Sequence, residues 1–363
     1  MKASARSLQL GASVLTMSAL LLTACSAPSG GGSASSSSDT VVLIVHDSFP
    51  SDEFAAAASA ATGYDVQVIS AGDGGELSSQ LVLTKGAPLA DAFFGIDNVF
   101  ASRLIENKVT EPFVPKVPMP KRAEQLASEL PSFDSAQQEF PMVPIDLGAT
   151  CINIDPAWFA ERGIAEPDSY EDLVLEQYRG LTVLLDPTSS STGASFLIGT
   201  VSKFGESEFA QYWQQLAANE PRLEQGWTEA YNGQFTMGGG DGTFPIVLSY
   251  SSSPAWTVTE DGNTSTTKAL LDTCSSQIEY AGVLEGAANP EGAAAVVEYM
   301  LSRDFQDTIA DTMYMYPVDE EAYLPADWAE FAPLPEDPHN LTPSQIAAGI
   351  DGWLKTWSEA TGW

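Results

Sequence analysis

Histidine occurs twice in the 363 residues, at His46 and His339, and cysteine three times, at Cys25, Cys151 and Cys274. That scarcity removes whole classes of chemistry. With no Cys-x-x-Cys pair and no His-Glu-x-x-His run, a zinc site has little to build from. No Gly-x-Ser-x-Gly elbow occurs and neither histidine is placed to serve a nucleophile, which argues against a serine hydrolase. No Walker lysine follows a glycine-rich turn, so an ATP-binding P-loop is excluded. Positive charge is also short: 15 Lys and Arg against 49 Asp and Glu leave a formal charge of −34. Nucleic acid and anionic lipid headgroups need a basic patch and are poor partners for such a chain, whereas a cationic ligand suits it. Acids this numerous neither establish nor remove a paired-carboxylate hydrolase, so a secreted enzyme of that kind stays as a reading of another class.

The amino end is apolar where the rest is acidic. Lys2 and Arg6 precede an apolar run from Leu8 to Leu22, too short for a stable spanning helix and laid out like a secretion signal. It closes on Leu22-Thr23-Ala24-Cys25, which resembles a bacterial lipobox and makes Cys25 the expected lipidation site. Residues 1–25 are therefore expected to be a leader. Residues 26–38, nearly all Ser, Gly, Ala or Pro, read as a loose tether to the outer face of the membrane. The remaining body exceeds what one core usually holds, so two lobes are expected. Cys151 and Cys274 are either one disulfide or two buried thiols.

From residue 39 the signals alternate. Val41 to Val45, Asp65 to Ile69 and Asp91 to Ile96 read as strands, with helices at Asp52 to Ala61 and Leu77 to Lys85 between them. This β-α-β-α-β order implies a parallel sheet covered by helices, and its strand ends place His46, Asp47, Asp73, Asp97 and Asn98 along one rim. Four prolines between Pro112 and Pro120 break the chain, and residues 142–154 read as two extended pieces crossing between lobes. Asp168 or Ser169 looks like the cap of a helix. The body is thus divided into 39–148 in one lobe, 149–273 in the other, and 274–363 returning to the first.

Two stretches carry binding chemistry. Asp186-Pro-Thr-Ser-Ser-Ser-Thr-Gly193 lies between a strand end and a helix start, where backbone N–H groups favour an anion and Ser189, Ser190, Ser191 and Thr192 add hydroxyls; plain helix capping explains the same residues. Gln225 to Trp256 contains Gly226-Trp-Thr-Glu-Ala-Tyr231 and then Leu248-Ser-Tyr-Ser-Ser-Ser-Pro-Ala-Trp256. Trp227, Tyr231, Tyr250 and Trp256 either converge on one cleft or pack in the core. Met313 to Val318, with Tyr314 and Tyr316, divides in the same way. Trp353 and Trp357, spaced with Ile346 and Ile350 on the terminal helix, are assigned to packing.

Those two runs, together with His46-Asp-Ser-Phe, Gly95-Ile-Asp-Asn98, Asp146-Leu-Gly, the serine loop and Met315-Tyr-Pro-Val318, make the chain resemble the thiamine-binding proteins of bacterial ABC importers. The resemblance implies a two-lobed α/β fold of the type II periplasmic-binding kind, each lobe a mainly parallel sheet flanked by helices, hinged between lobes. It implies a monomer that binds thiamine or its phosphates, has no cofactor or catalytic set, and meets the permease subunits of a transporter. It further implies that Trp227, Tyr250, Trp256 and Tyr314 line the site, Ser190 or Ser189 contacts the hydroxyethyl or phosphate end, and Asp73 sits near the aminopyrimidine, with Asp97 on the same rim. His46 stands where the family has tyrosine, and Tyr314 where it has tryptophan. A polyamine or ferric iron are the alternative ligands on this fold.

Overall fold

The computed structural model describes residues 39–131 and 133–363. The expected leader, Cys25 and the tether lie outside the described residues. Strands occupy Thr40–Val45 (β1), Asp65–Ser70 (β2), Ala92–Asp97 (β3), Thr110–Glu111 (β4), Val143–Ile154 (β5), Thr182–Leu185 (β6), Arg222–Glu224 (β7), Ile246–Tyr250 (β8), Lys268–Leu284 (β9) and Tyr316–Pro317 (β10). They join in one sheet ordered β2-β1-β3-β9-β5-β8-β6-β7, with β4 beside β9 and β10 beside β5. At one end β1 runs parallel to β2 and β3, and at the other β6 runs parallel to β7 and β8. The long strands β5 and β9 lie antiparallel between these groups and belong to both halves.

The reason is visible in the strands themselves. β1, β3, β6 and β8 are runs of valine, isoleucine, leucine and phenylalanine buried almost throughout, as strands covered by helices on both faces must be. β5 and β9 are longer and mix apolar with polar residues, and each carries register shifts. Those irregularities bend the two strands where they pass from one half to the other. Cys151 and Cys274 are joined in a disulfide that ties β5 to β9.

Three local expectations change. The two pieces expected at 142–154 are one continuous strand, Val143–Ile154, and the strand expected from Gln277 begins at Lys268. The helix expected after Asp168 is only a 3-10 turn at Asp172–Val174, with Ser169 Oγ accepting from the Asp172 N–H. The terminal helix Pro343–Thr361 starts on a Thr342–Gln345 capping box and packs on the helix Phe209–Ala218. There Trp357 meets Trp213 edge to face at 5.9 Å, a geometry worth about 1 kcal/mol beyond the area it buries.

Candidate ligand-binding site

A cavity of about 430 Å³ opens between the halves, the size of a small-molecule site. Its walls come from the loop after β1, the starts of the helices Gly74–Leu83 and Ser191–Phe204, a π-helical turn at Glu229–Gln234, the end of β8, and the loop around Tyr314. These are the C-terminal ends of parallel strands and the helix starts that follow them, where open α/β sheets leave room for a ligand.

The aromatic residues converge. Trp227, Tyr231, Tyr250, Trp256 and Tyr314 all line this one cavity. Trp227 and Tyr231, a helical turn apart, stack at 5.0 Å with an interplanar angle of 11°, and Tyr250 leans toward the indole at 6.4 Å. The indole is pinned by its Nε1–H, which donates to Ser249 Oγ at 2.8 Å. Trp256 is 61% exposed and meets Tyr314 edge-on at 5.0 Å, so this pair stands at the opening while Trp227 and Tyr250 lie deeper. Tyr316 is turned away: its hydroxyl donates to the Ala332 carbonyl and its ring packs on Trp328.

The serine loop reaches the cavity through its later residues. Ser190 is fully buried as the cap of the helix Ser191–Phe204, its Oγ accepting from the Gly193 N–H. Ser189 Oγ donates to the Gln225 carbonyl. Neither lines the cavity; Ser191 and Thr192 do. Asp73 does line it, yet its carboxylate is already engaged by three backbone N–H groups: Gly74 at 2.6 Å, Ser191 at 3.0 Å and Trp227 at 3.0 Å. The last two come from the opposite half, so Asp73 bridges the halves. At Gly75 an added Cβ would lie 2.6 Å from the Ser189 carbonyl oxygen, so the halves meet there backbone to backbone.

His46 lines the cavity with Nδ1 2.9 Å from Ser48 Oγ. Its ring lies over Gly95, where φ is +94° and a Cβ would come within 2.2 Å of the imidazole, so only glycine serves. Burial lowers the His46 pKa to about 4 and keeps the ring neutral. Asp97 is a correction: it lies beneath the cavity, fully buried, and accepts from the N–H groups of Val99 and Phe100 at 2.7 and 3.0 Å. Asn98 likewise serves the backbone, accepting from the Ile278 N–H.

The residue that sequence reading missed is Glu279, which lines the cavity from β9. It faces Asp97 on β3 and Asp146 on β5. Burial, chiefly, pushes Asp97 up to about 6 and Glu279 up to about 7, and holds Asp146 well above the usual carboxylate range. Asp47, Asp73, Glu279 and Asp311 all line the cavity, and among its described lining residues there is no lysine or arginine. Among the described residues no three His, Cys, Asp or Glu side chains are placed to hold a metal ion.

Two parallel-sheet lobes sharing a pair of crossing strands, with an aromatic and acidic cavity between them, define a two-lobed solute-binding protein of the type II periplasmic-binding fold. Residues 87–337 match the family described as bacterial extracellular solute-binding protein, and the chain belongs to that family. It is 27% identical over 346 residues to the thiamine-binding periplasmic protein of Salmonella typhimurium, covering 94% of this chain and 97% of that one. In three dimensions it is similar to a periplasmic thiamin binding protein, with a TM-score of 0.74, 24% identity, and coverage of 89% and 96%. The apo ferric ion-binding protein A of Pasteurella haemolytica shares the fold at a TM-score of 0.67 and 16% identity, with coverage of 89% and 98%.

Proposed function

We propose that this protein captures thiamine between its lobes outside the cytoplasmic membrane and hands it to the permease of an ABC importer, without chemical turnover. One observation carries the reading: a cavity with five aromatic rings and four carboxyl groups in its wall, and neither lysine nor arginine among its described lining residues. Thiamine brings a permanent thiazolium cation and a flat aminopyrimidine. Aromatic faces attract the first, at about 2 kcal/mol for each desolvated contact, and acids accept from the amine of the second. The names of the Salmonella relative and the structural neighbour support the same ligand.

Isothermal titration with thiamine tests this directly, with thiamine phosphates, spermidine and ferric citrate as competitors. Thiamine is expected to bind at micromolar concentration or below and to be recovered unchanged. Silence with thiamine, or displacement of it by spermidine at equal concentration, overturns the proposal. Tyr316, turned away to Ala332, does not join Tyr314 as an adjacent phenol in the cavity wall. The protein acts as a monomer held by a lipid on Cys25, and its lobes close on the ligand about β5 and β9. Loss of labelled-lipid incorporation in Cys25→Ala is the check on the anchor.

A further inference from the structure

Three carboxyl groups stand in line across the centre of the sheet. Glu279 on β9 is paired with Asp97 on β3 and with Asp146 on β5, and cross-strand partners in antiparallel pairs project to one face. The register shifts beside both contacts, between Phe94 and Ile96 and between Pro144 and Asp146. Such bulges re-aim side chains near sites. Asp97 and Asp146 are sealed from solvent, and of the three Glu279 alone lines the cavity. Both carboxyl oxygens of Asp146 are buried without a donor.

Among the described residues no lysine or arginine acts on this group. His46 Nε2 lies 3.8 Å from Glu279 Oε1, but burial keeps that ring neutral. The other titratable groups that act on Glu279 and Asp97 are Asp73, at the start of the helix Gly74–Leu83, and the phenols of Tyr250 and Tyr280, none of them cationic. Two adjoining, largely buried carboxyls do not both ionise near neutral pH, and a proton between them serves the oxygens of Asp146 that lack a donor. A cation in the cavity removes the need for that proton.

We propose that Glu279 is the counter-charge for the cationic ligand and that a proton held between Glu279 and Asp146 leaves to solvent as the ligand enters; this rests on the thiamine reading above. The exchange balances: the carboxylic O–H bond breaks, its electron pair stays on the oxygen facing the ligand cation, and the proton passes to buffer. Asp146, which does not line the cavity, is a positioning residue that acts through Glu279.

Titration calorimetry in buffers of different ionisation heat counts the protons. Wild type is expected to release about one proton per thiamine near about pH 6 and almost none above about pH 9, with affinity falling about tenfold per pH unit on the acid side. Glu279→Gln is expected to bind at least about tenfold more weakly at alkaline pH, release no proton and show a flat pH profile. Asp146→Asn leaves Glu279 ionised beside an amide, so it also releases no proton and shows a flat pH profile. If wild type binds thiamine with no proton release, or both variants keep its proton count and pH profile, the proposal falls and the thiamine reading stands. The proposal also falls if Glu279→Gln loses affinity only as it loses melting temperature while its residual binding still releases a proton. If thiamine does not bind in any buffer, both fall together.

Discussion

Replacing Trp227 by alanine separates a binding role from a packing role, because the structure lets the two losses be reckoned apart. The indole contributes a stacked face against Tyr231 at 5.0 Å and one side-chain hydrogen bond to Ser249 at 2.8 Å. Losing an aromatic pair and a hydrogen bond costs about 1 kcal/mol each, on top of the apolar area the half-buried indole covers, so at least about 2 kcal/mol of stability is expected to go. Ser249 keeps its bond to Ser253 at 2.8 Å, so no buried hydroxyl is orphaned. The bond between Asp73 and residue 227 uses the backbone N–H and survives the change. Binding loses a desolvated cation–π contact, about 2 kcal/mol or roughly thirtyfold in Kd. Trp227→Phe keeps a ring face but no indole N–H, and is expected to lose about 1 kcal/mol of stability and less than about fivefold in affinity. Urea denaturation reads the stability and calorimetry the affinity. Wild-type affinity in Trp227→Ala, or weakened affinity that returns to wild type where the variant is fully folded, refutes the role of Trp227 as a wall of the site.

Asp73→Asn replaces an acceptor of three backbone N–H groups with a side chain half of which is itself a donor, and is expected to cost about 3 kcal/mol by denaturant titration; a loss under about 0.5 kcal/mol contradicts the bridging role. Removing the disulfide frees a link across 123 residues, worth about 5 kcal/mol on the chain-entropy account, so reduction should lower the denaturation midpoint well before it alters binding. The ligand-free protein should lose stability as pH rises from about 4 to about 7. Glu279 and Asp97 hold their protons more tightly folded than unfolded, so their contribution is complete below the ordinary carboxylate range and is lost as pH passes about 6 and about 7. His46, lowered to about 4, works the other way, losing stability as pH falls from 6.5, but it is one group against two acids and Asp146. A melting temperature that rises steadily over that range contradicts the sign.

How far the site was legible follows from how local each signal is. The run from Leu248 to Trp256 was readable as a sheet edge because an apolar strand ends there in hydroxyls and proline, but whether its rings faced a cleft or the core was open until the fold brought Trp227 and Tyr314 to the same cavity. The serine loop was readable as a helix start but not in detail. Which hydroxyl caps and which faces the ligand depends on the first helical residue, and the helix begins at Ser191, spending Ser190 on the cap. Asp73 was readable as a residue of the rim, but no pattern along the chain shows that the N–H groups of Ser191 and Trp227 arrive from the other half to meet it. The terminal helix was recognisable from its spacing, but the surface it docks on is chosen by Trp213 and its neighbours.

The sequence alone determined the excess of acid, the order of strands and helices, and the cluster of rings, since each is a property of neighbours in the chain. Only the tertiary structure decided that Glu279, ordinary in a strand of mixed polarity, stands between Asp97 and Asp146 at the edge of a cavity. A carboxyl group's charge is set by what surrounds it in space, and here both partners come from strands far away in sequence.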